Sequence, residues 1–478
     1  MVGVTELREL EERFRRLEQE NAGLRRENEV LKKENSRLRE LLEKSRRGGK
    51  RQAAPFSKGV PKSDPKRPGR KPGARYGRRG RRPVPDHVDA VVEAGLPGHC
   101  EHCGGELELL AVQPQYQTEL PPIRPHVTRI DVAVGRCRRC GRPARGRHPL
   151  QTSDAVGAAA SQLGPRALAL AAHLNKGLGL SFGKVSSLYE TAFGIVVTPG
   201  GLCLALHRVA RAGEPTYQAL VVVIRQAPVD AADETGWKVG GWLQWLWAFV
   251  TLRATVYAIQ AGRGYEEAAH ILGEDFAGTL LRDGWAPYRQ FTQATHQTCL
   301  THLMRRCHEI LETAQRGAAR LPHAVQRVLE AALLLRDRRD AGLLSAHGLA
   351  VARGRLEARM DRLLTWQPTD DENRKLVKHL RNERPALFTF LRRPEVEASN
   401  WWGEQAIRPA VVTRKVCGGN RTWPGAHTQE VLMTVLRTCR QQRVDFYSLI
   451  EDLLHSSTPI VATQLVSSAH GPSAARPP

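Results

Sequence analysis

The spacing of hydrophobic residues along this chain changes several times, and each change marks a different element. Leucines recur every seventh residue at Leu10, Leu17, Leu24, Leu31 and Leu38, with Leu7, Phe14, Asn21, Asn28, Asn35 and Leu42 at the a positions between them. A sustained seven-residue period specifies a supercoiled seam, and asparagine at a is tolerated when it meets another asparagine in a parallel pair. The flanking charges agree. Across a parallel homodimer Arg13–Glu18, Glu20–Arg25, Glu27–Lys32 and Glu34–Arg39 are opposite in sign, and only Glu6–Glu11 clashes. Each exposed pair is worth only about 0.3–0.5 kcal/mol, so together they select orientation more than strength. Residues 1–43 are expected to form a parallel coiled coil that makes a homodimer or higher assembly through residues 7–42.

A helical period returns over 163–212. Pro165 to Lys176 and Ser181 to Phe193 each carry an apolar face, and Thr198-Pro199 caps a third helix. Short helices joined by tight turns suit a helix-turn-helix whose last helix enters a major groove, and they equally suit a plain packing unit. Residues 151–215 are expected to be this small helical domain, with DNA reading left open.

The pattern then becomes that of a sheet. Val229 to Gly236 reads as a short strand ending at Asp233, and Trp242 to Val250 is apolar on both faces, as a buried central strand is. Thr255 to Gln260 is its hairpin partner, Tyr265 to Leu272 is helical, and Gly278 to Gly284 is a strand ending at Asp283. Strand, strand, strand, helix, strand is the order of a ribonuclease H-like core, whose first and fourth strands lie side by side. Residues 303–395 read instead as Arg-rich amphipathic helices, including Pro322–Arg336, Leu349–Trp366 and Asp371–Arg392. They form an all-α insertion that divides the core into 216–302 and 396–460. The tail 461–478 is rich in Ser, Gly and Pro and is expected to be disordered.

Charge narrows the partner. Lys and Arg number 72 against 49 Asp and Glu, a net charge of +23, which points to a polyanion such as nucleic acid. From Lys44 to Arg82 there are sixteen basic residues and one acid among prolines and glycines. The linker 44–85 therefore cannot bury a core, and Lys66, Arg67, Arg70 and Lys71 suit phosphate contact without base readout. No stretch approaches the ~18–20 apolar residues of a membrane span, and no signal-peptide pattern opens the chain. A cytoplasmic location is expected, in which the nine cysteines are thiols or metal ligands.

Four of those cysteines form two CxxC knuckles, Cys100/Cys103 and Cys137/Cys140, each followed by glycine. Thiolates at i and i+3 reach one metal from a tight turn, so residues 86–150 are expected to be a zinc ribbon with one structural ion. Asp233 and Asp283 are the chemical candidates of the core. Two carboxylates about 4 Å apart repel by roughly 4 kcal/mol at an effective dielectric near 20, which a divalent cation relieves. An all-oxygen set favours magnesium or manganese, and two such ions would activate the attacking oxygen and stabilise the leaving one at a phosphodiester. The spacing leaves the third acid open between Glu404 and Glu397, read as two turns apart on one helical face.

These motifs, taken together, resemble the DDE transposases of the insertion sequence 66 family over nearly the whole chain. The resemblance rests on the zipper, linker and knuckles, and on Asp233-Glu234-Thr235, Asp283-Gly284 with Tyr288, and Cys299-Leu-Thr-His302 with Arg305-Arg306. It continues through Asn400, Glu404, Ala406-Ile407-Arg408-Pro409, Arg414-Lys415 and Gly425-Ala426. It implies that Asp233, Asp283 and Glu404 are catalytic metal ligands, and that Arg305, Arg306 and Arg408 contact DNA. It also implies binding to element ends and target DNA, strand cleavage and transfer, and companion proteins from the same element. The family usually reads Asn-Asn-x-Ala-Glu-Arg where this chain has Asn400-Trp401-Trp402-Gly403-Glu404-Gln405. That departure raises the alternative of a catalytically impaired DNA-binding or regulatory descendant.

Overall fold

A computed structural model describes residues 4–47, 82–153, 155, 162–456 and 458–467. Lys66, Arg67, Arg70 and Lys71 lie outside these residues, as does the chain from 468 onward. The heptad segment is one helix, α1 (Val4–Arg47). Leu17, Leu24, Leu31 and Leu38 are each more than half exposed on it, so a single chain leaves the seam uncovered. Among the described residues no helix is long and apolar enough to cross a membrane.

Residues 82–150 contain a small antiparallel hairpin, β1 (Val134–Arg136) and β2 (Pro143–Arg145), around the second knuckle. No apolar side chain of this segment is buried. Three helices follow as expected. α2 (Pro165–Ala172) runs into a π turn at His173–Gly177. α3 (Phe182–Phe193) is capped by Ser181 and closed by Gly194 in the left-handed region. α4 (Pro199–Arg225) starts at Thr198, whose side chain accepts from the Gly201 N–H. This helix is 27 residues long and passes through Pro215. The boundary expected after 215 therefore falls inside it. Leu202, Leu206 and Val209 at one end, and Tyr217, Leu220 and Ile224 at the other, bury in one core together with the sheet.

The sheet comprises β3 (Val229–Val239), β4 (Trp242–Val250), β5 (Thr255–Gln260), β6 (Thr279–Arg282) and β7 (Thr295–Thr298), with α5 (Tyr265–Leu272) between β5 and β6. Their spatial order is β5-β4-β3-β6-β7. β3, β4 and β5 form an antiparallel meander, while β6 and β7 run parallel to β3. The first and fourth strands are thus neighbours, as the strand order required. Two features differ from expectation. β7 was not foreseen, because Thr-His-Gln-Thr has no apolar alternation to announce it. β3 does not end at Asp233 but continues to Val239, because its outer half stays paired with β4 after β6 has ended.

The insertion consists of α6 (Leu300–Thr313), α7 (Arg320–Asp340), α8 (Ala346–Leu364), α9 (Asp371–Glu383) and α10 (Thr389–Arg392). Val325, Leu329, Met360, Leu380 and Phe390 belong to its core. The single helix expected over Asp371–Arg392 breaks at Arg384-Pro385 into a 3-10 turn, since proline lacks the N–H and disfavours helix in the residue before it. Glu383 fastens α9 to the sheet by accepting from Arg282 and, at 2.9 Å, from Arg289.

Four helices complete the described residues: α11 (Trp401–Cys417), α12 (Trp423–Gln442), α13 (Phe446–His455) and α14 (Thr463–Val466). α11 packs Ala406, Ile407 and Ala410 on the sheet face that carries Ala231, Leu246 and Ala248. α12 lies along β5. Its Thr434 and Thr438 hydroxyls accept the Tyr257 and Thr255 N–H groups at 3.0 and 3.2 Å. At the opposite edge, the Gln297 side chain of β7 accepts the Phe390 N–H at 2.9 Å, and the Thr389 hydroxyl donates to the His296 carbonyl at 2.6 Å.

Candidate functional site

Register brings the first two acids together. Val229 pairs with Thr279 and Ala231 with Leu281, so two further residues along β3 put Asp233 level with Asp283, just past the end of β6. Strand alternation points Asp233, like Ala231, to the face that α11 covers. Burial raises the Asp233 carboxyl to about 7; the Glu234 and Asp283 charges add to this, and His302 opposes it. One Asp283 oxygen accepts the Trp285 N–H at 2.8 Å, and the other lies 3.9 Å from the Arg263 guanidinium. Gly284 is needed beside it, because a Cβ there would collide with the His379 ring of α9.

Glu234 points to the opposite face and is fully engaged. Arg263 binds one of its oxygens at 2.6 Å, and the Tyr288 hydroxyl donates to the other at 2.6 Å. Arg263 itself lies over the Trp245 and Trp285 rings, 4.8 and 4.1 Å from their centres. Arg263, a loop residue between two glycines, carries no motif in the sequence to mark it. Trp237 and Trp247 are wholly buried core residues, whereas Trp245 also holds this arginine.

Glu404 sits on the first turn of α11, behind a buried Asn400. Asn400 donates its side-chain amide to the Ala232 carbonyl at 2.7 Å and its backbone N–H to the Cys299 sulfur at 3.1 Å. These bonds tie the head of α11 to the strand that bears Asp233. Gly403 leaves the space that the Asn400 amide fills, since a Cβ would come within 2.8 Å of its oxygen. Glu397 lies in the turns before α11, so it does not share a helical face with Glu404.

The Glu404 carboxylate faces His302, 3.6 Å from Nδ1. Cys299 at the junction of β7 and α6, His302 one turn on, and Glu404 present donor atoms all within 4.8 Å of one another. Among the described residues no other trio of histidine, cysteine or acid converges so closely, and Asp233, Asp283 and Glu404 do not. The Glu404 charge acts on His302, whose imidazole is raised chiefly by its bond to Cys299. His302 bridges the two halves of the site, since its charge also acts on Asp233. The thiol of Cys299 is held below its usual range by His302 and by backbone N–H groups, against burial that alone would raise it.

Two of the expected basic residues act on groups near the site. Arg305 is exposed on α6 and its charge acts on His302, while Arg306 acts on His379. Arg408 lines a cavity with Gln405, Arg437 and Arg440.

The two knuckles are built alike. In each, the first cysteine carbonyl accepts from the glycine after the second cysteine, Gly104 at 2.8 Å and Gly141 at 2.9 Å. Both glycines adopt the left-handed conformation, with φ of 70° and 71°. Backbone N–H groups aimed at the sulfur lower the Cys100 and Cys137 thiols from their usual value, which suits thiolate ligands. The two pairs do not converge on one another within the 4.8 Å that Cys299, His302 and Glu404 achieve.

An uncharacterized protein, y4qI, from Sinorhizobium fredii (strain NBRC 101917 / NGR234) is 24% identical over 230 residues. That match covers 42% of this chain and 41% of the relative, so the chain spans about two fifths of the relative's length. The Transposase IS66 family matches residues 160–428, which run from the helical segment through the sheet and insertion to α12. This chain belongs to the IS66 family of transposases.

Proposed function

We propose that the protein is a DNA transposase with a ribonuclease H-like core, which cleaves the ends of its own mobile element and joins them to target DNA. The observation that carries this reading is the pair Asp233 and Asp283, held level by strand register with the Asp233 carboxyl raised to about 7. Such a concentration of negative charge at a half-buried site is a device for holding a divalent cation. Asp233, Asp283 and Glu404 would hold magnesium or manganese, which supplies polarisation of a phosphodiester and activation of the attacking oxygen. The residues around them perform the positioning. Arg263 and Tyr288 fix Glu234 behind the strand, and Asn400 anchors the helix that carries Glu404. Arg305, Arg306 and Arg408 meet the DNA backbone.

The N-terminal parts serve the same end. The uncovered leucine seam of α1 pairs two copies in parallel, and the basic linker binds phosphates without sequence preference. Cys100, Cys103, Cys137 and Cys140 bind one zinc, whose ligation supplies folding energy to a segment with no buried apolar side chain.

The test is magnesium-dependent cleavage and strand transfer on DNA carrying the element ends, with Asp233→Asn alongside. Loss of at least about 1000-fold in the variant is expected, since removal of a metal ligand costs several kcal/mol of transition-state stabilisation. Equal activity in the two proteins sinks the assignment. A second reading, a DNA-binding descendant without chemistry, draws on the pairing of Glu404 with His302 and on the altered Trp401–Gln405 neighbours. Intact DNA binding by an inactive wild type would favour it.

A further inference from the structure

The geometry points to a second metal site, in which Cys299, His302 and Glu404 bind zinc and, by claiming Glu404, switch off the chemistry proposed above. The binding claim stands on its own residues; only the inhibitory consequence rests on the transposase reading.

The donor set is the first argument. A thiolate, an imidazole and a carboxylate suit zinc, whereas the oxygen-only set of Asp233, Asp283 and Glu404 suits magnesium or manganese. A tetrahedral zinc with bonds of about 2.0–2.3 Å needs donor atoms roughly 3.3–3.8 Å apart. His302 Nδ1 and Glu404 already stand 3.6 Å apart, and all three donors lie within 4.8 Å. Only a small contraction separates this trio from a ligand sphere.

The second argument is an orphan. His302 Nδ1 is buried and has no hydrogen-bond partner. A buried imidazole nitrogen left unpartnered costs free energy unless something binds it. A zinc ion placed between Nδ1, the Glu404 carboxylate and the sulfur satisfies it. The sulfur is prepared as well, because the Asn400 N–H donates to it at 3.1 Å, the kind of outer hydrogen bond that supports a thiolate ligand.

The third argument is rigidity combined with access. The Cys299 N–H donates to the Arg282 carbonyl at 2.8 Å and the Leu300 N–H to the Ala398 carbonyl at 2.9 Å, which locks the start of α6 to β6 and to the approach of α11. The sulfur is fully buried, while the His302 and Glu404 side chains are each 35% exposed, so an ion has a path in from solvent. Water completes the fourth position. A Glu404 carboxylate bound to zinc is withheld from Asp233 and Asp283, so zinc competes with the magnesium site for a shared ligand.

Zinc content of the full-length protein tests this, with the wild type compared against His302→Asn and Cys299→Ser after dialysis from a zinc buffer. Each variant is expected to hold about one zinc fewer per chain, whatever the knuckles retain. Cobalt in place of zinc adds a spectroscopic readout. The thiolate-to-cobalt band should fall by about a fifth in Cys299→Ser, as one of five ligating sulfurs is removed. His302 is partly exposed, so its variant keeps the test valid if Cys299→Ser fails to fold. Equal zinc content and equal cobalt spectra in the wild type and His302→Asn overturn the site. Metal counting requires no DNA cleavage, so this result is independent of whether the chain is an active transposase. For the inhibitory consequence, zinc should reduce magnesium-dependent cleavage at least about tenfold in the wild type. The same ratio in His302→Asn should stay near one; equal ratios in both proteins would refute the shared-ligand switch.

Discussion

Two acids on opposite sides of β6 meet opposite fates. Glu383, wholly buried where α9 joins the sheet, has one arginine for each oxygen. Asp233, beside the same end of the strand, has the Glu234 and Asp283 charges as neighbours, with His302 the cation whose field opposes them. The first acid is a fastening; the second is a charge held in a place that disfavours it. A folded chain tolerates such a conflict where something else, here a divalent cation, is expected to resolve it. Glu234 resembles Glu383 in this respect, since Arg263 and Tyr288 occupy both its oxygens, and that separates it in role from the adjacent Asp233.

The contrast can be broken by substitution. Glu383→Gln should have the largest effect, destabilising the fold by about 3–5 kcal/mol in urea unfolding, because two guanidinium groups lose their countercharge in a dry site. Asp233→Asn should do the reverse. The folded Asp233 carboxyl titrates near 7, above its unfolded value, so the wild type loses stability as pH rises from about 4 through 7. In chelator at pH 8 the variant is therefore expected to be more stable, by roughly 2 kcal/mol after allowance for solvent screening, with the advantage gone near pH 4. Destabilisation at pH 8 would collapse the distinction between the two acids.

Smaller effects sharpen it. Gly284→Ala should cost about 1–3 kcal/mol through collision with the His379 ring, and His379→Ala should recover much of that loss in the double variant. Failure of the rescue would mean that α9 does not brace the Asp283 loop. The weakest effect belongs to His427, held between Glu214 of α4 at 2.6 Å and Glu430 of α12 at 2.8 Å, which raise its imidazole to about 9. A raised histidine contributes its stability fully below about 6.5 and loses it as pH passes 9. His427→Gln should cost under about 1 kcal/mol at pH 6 and nothing at pH 10, because the group is half exposed.

The order of the sheet was legible wherever its strands are apolar. Trp242–Val250 announced itself, and the acids at 233 and 283 followed from its neighbours. β7 was silent because its four residues are polar and take their place from Gln297 and from the insertion instead of from a buried face. Arg263 was equally silent, since a cation sandwiched by two tryptophans distant in sequence leaves no local pattern. Glu404 came from family resemblance. Its pairing with His302 comes from the bonds that join the start of α6 to the residues leading into α11, which no periodicity encodes.

The side-chain bonds along β5 and β7 have a consequence for assembly. An uncovered outer strand is a template on which another chain can add. Here threonines of α12 answer the amides on one side, and Thr389 and Phe390 engage the backbone and side chains of the other. Growth by strand addition is thereby blocked at both margins. In the proposed dimer, a second copy would instead meet the leucine seam of α1, where heptads set register and number of partners in place of an open-ended ladder.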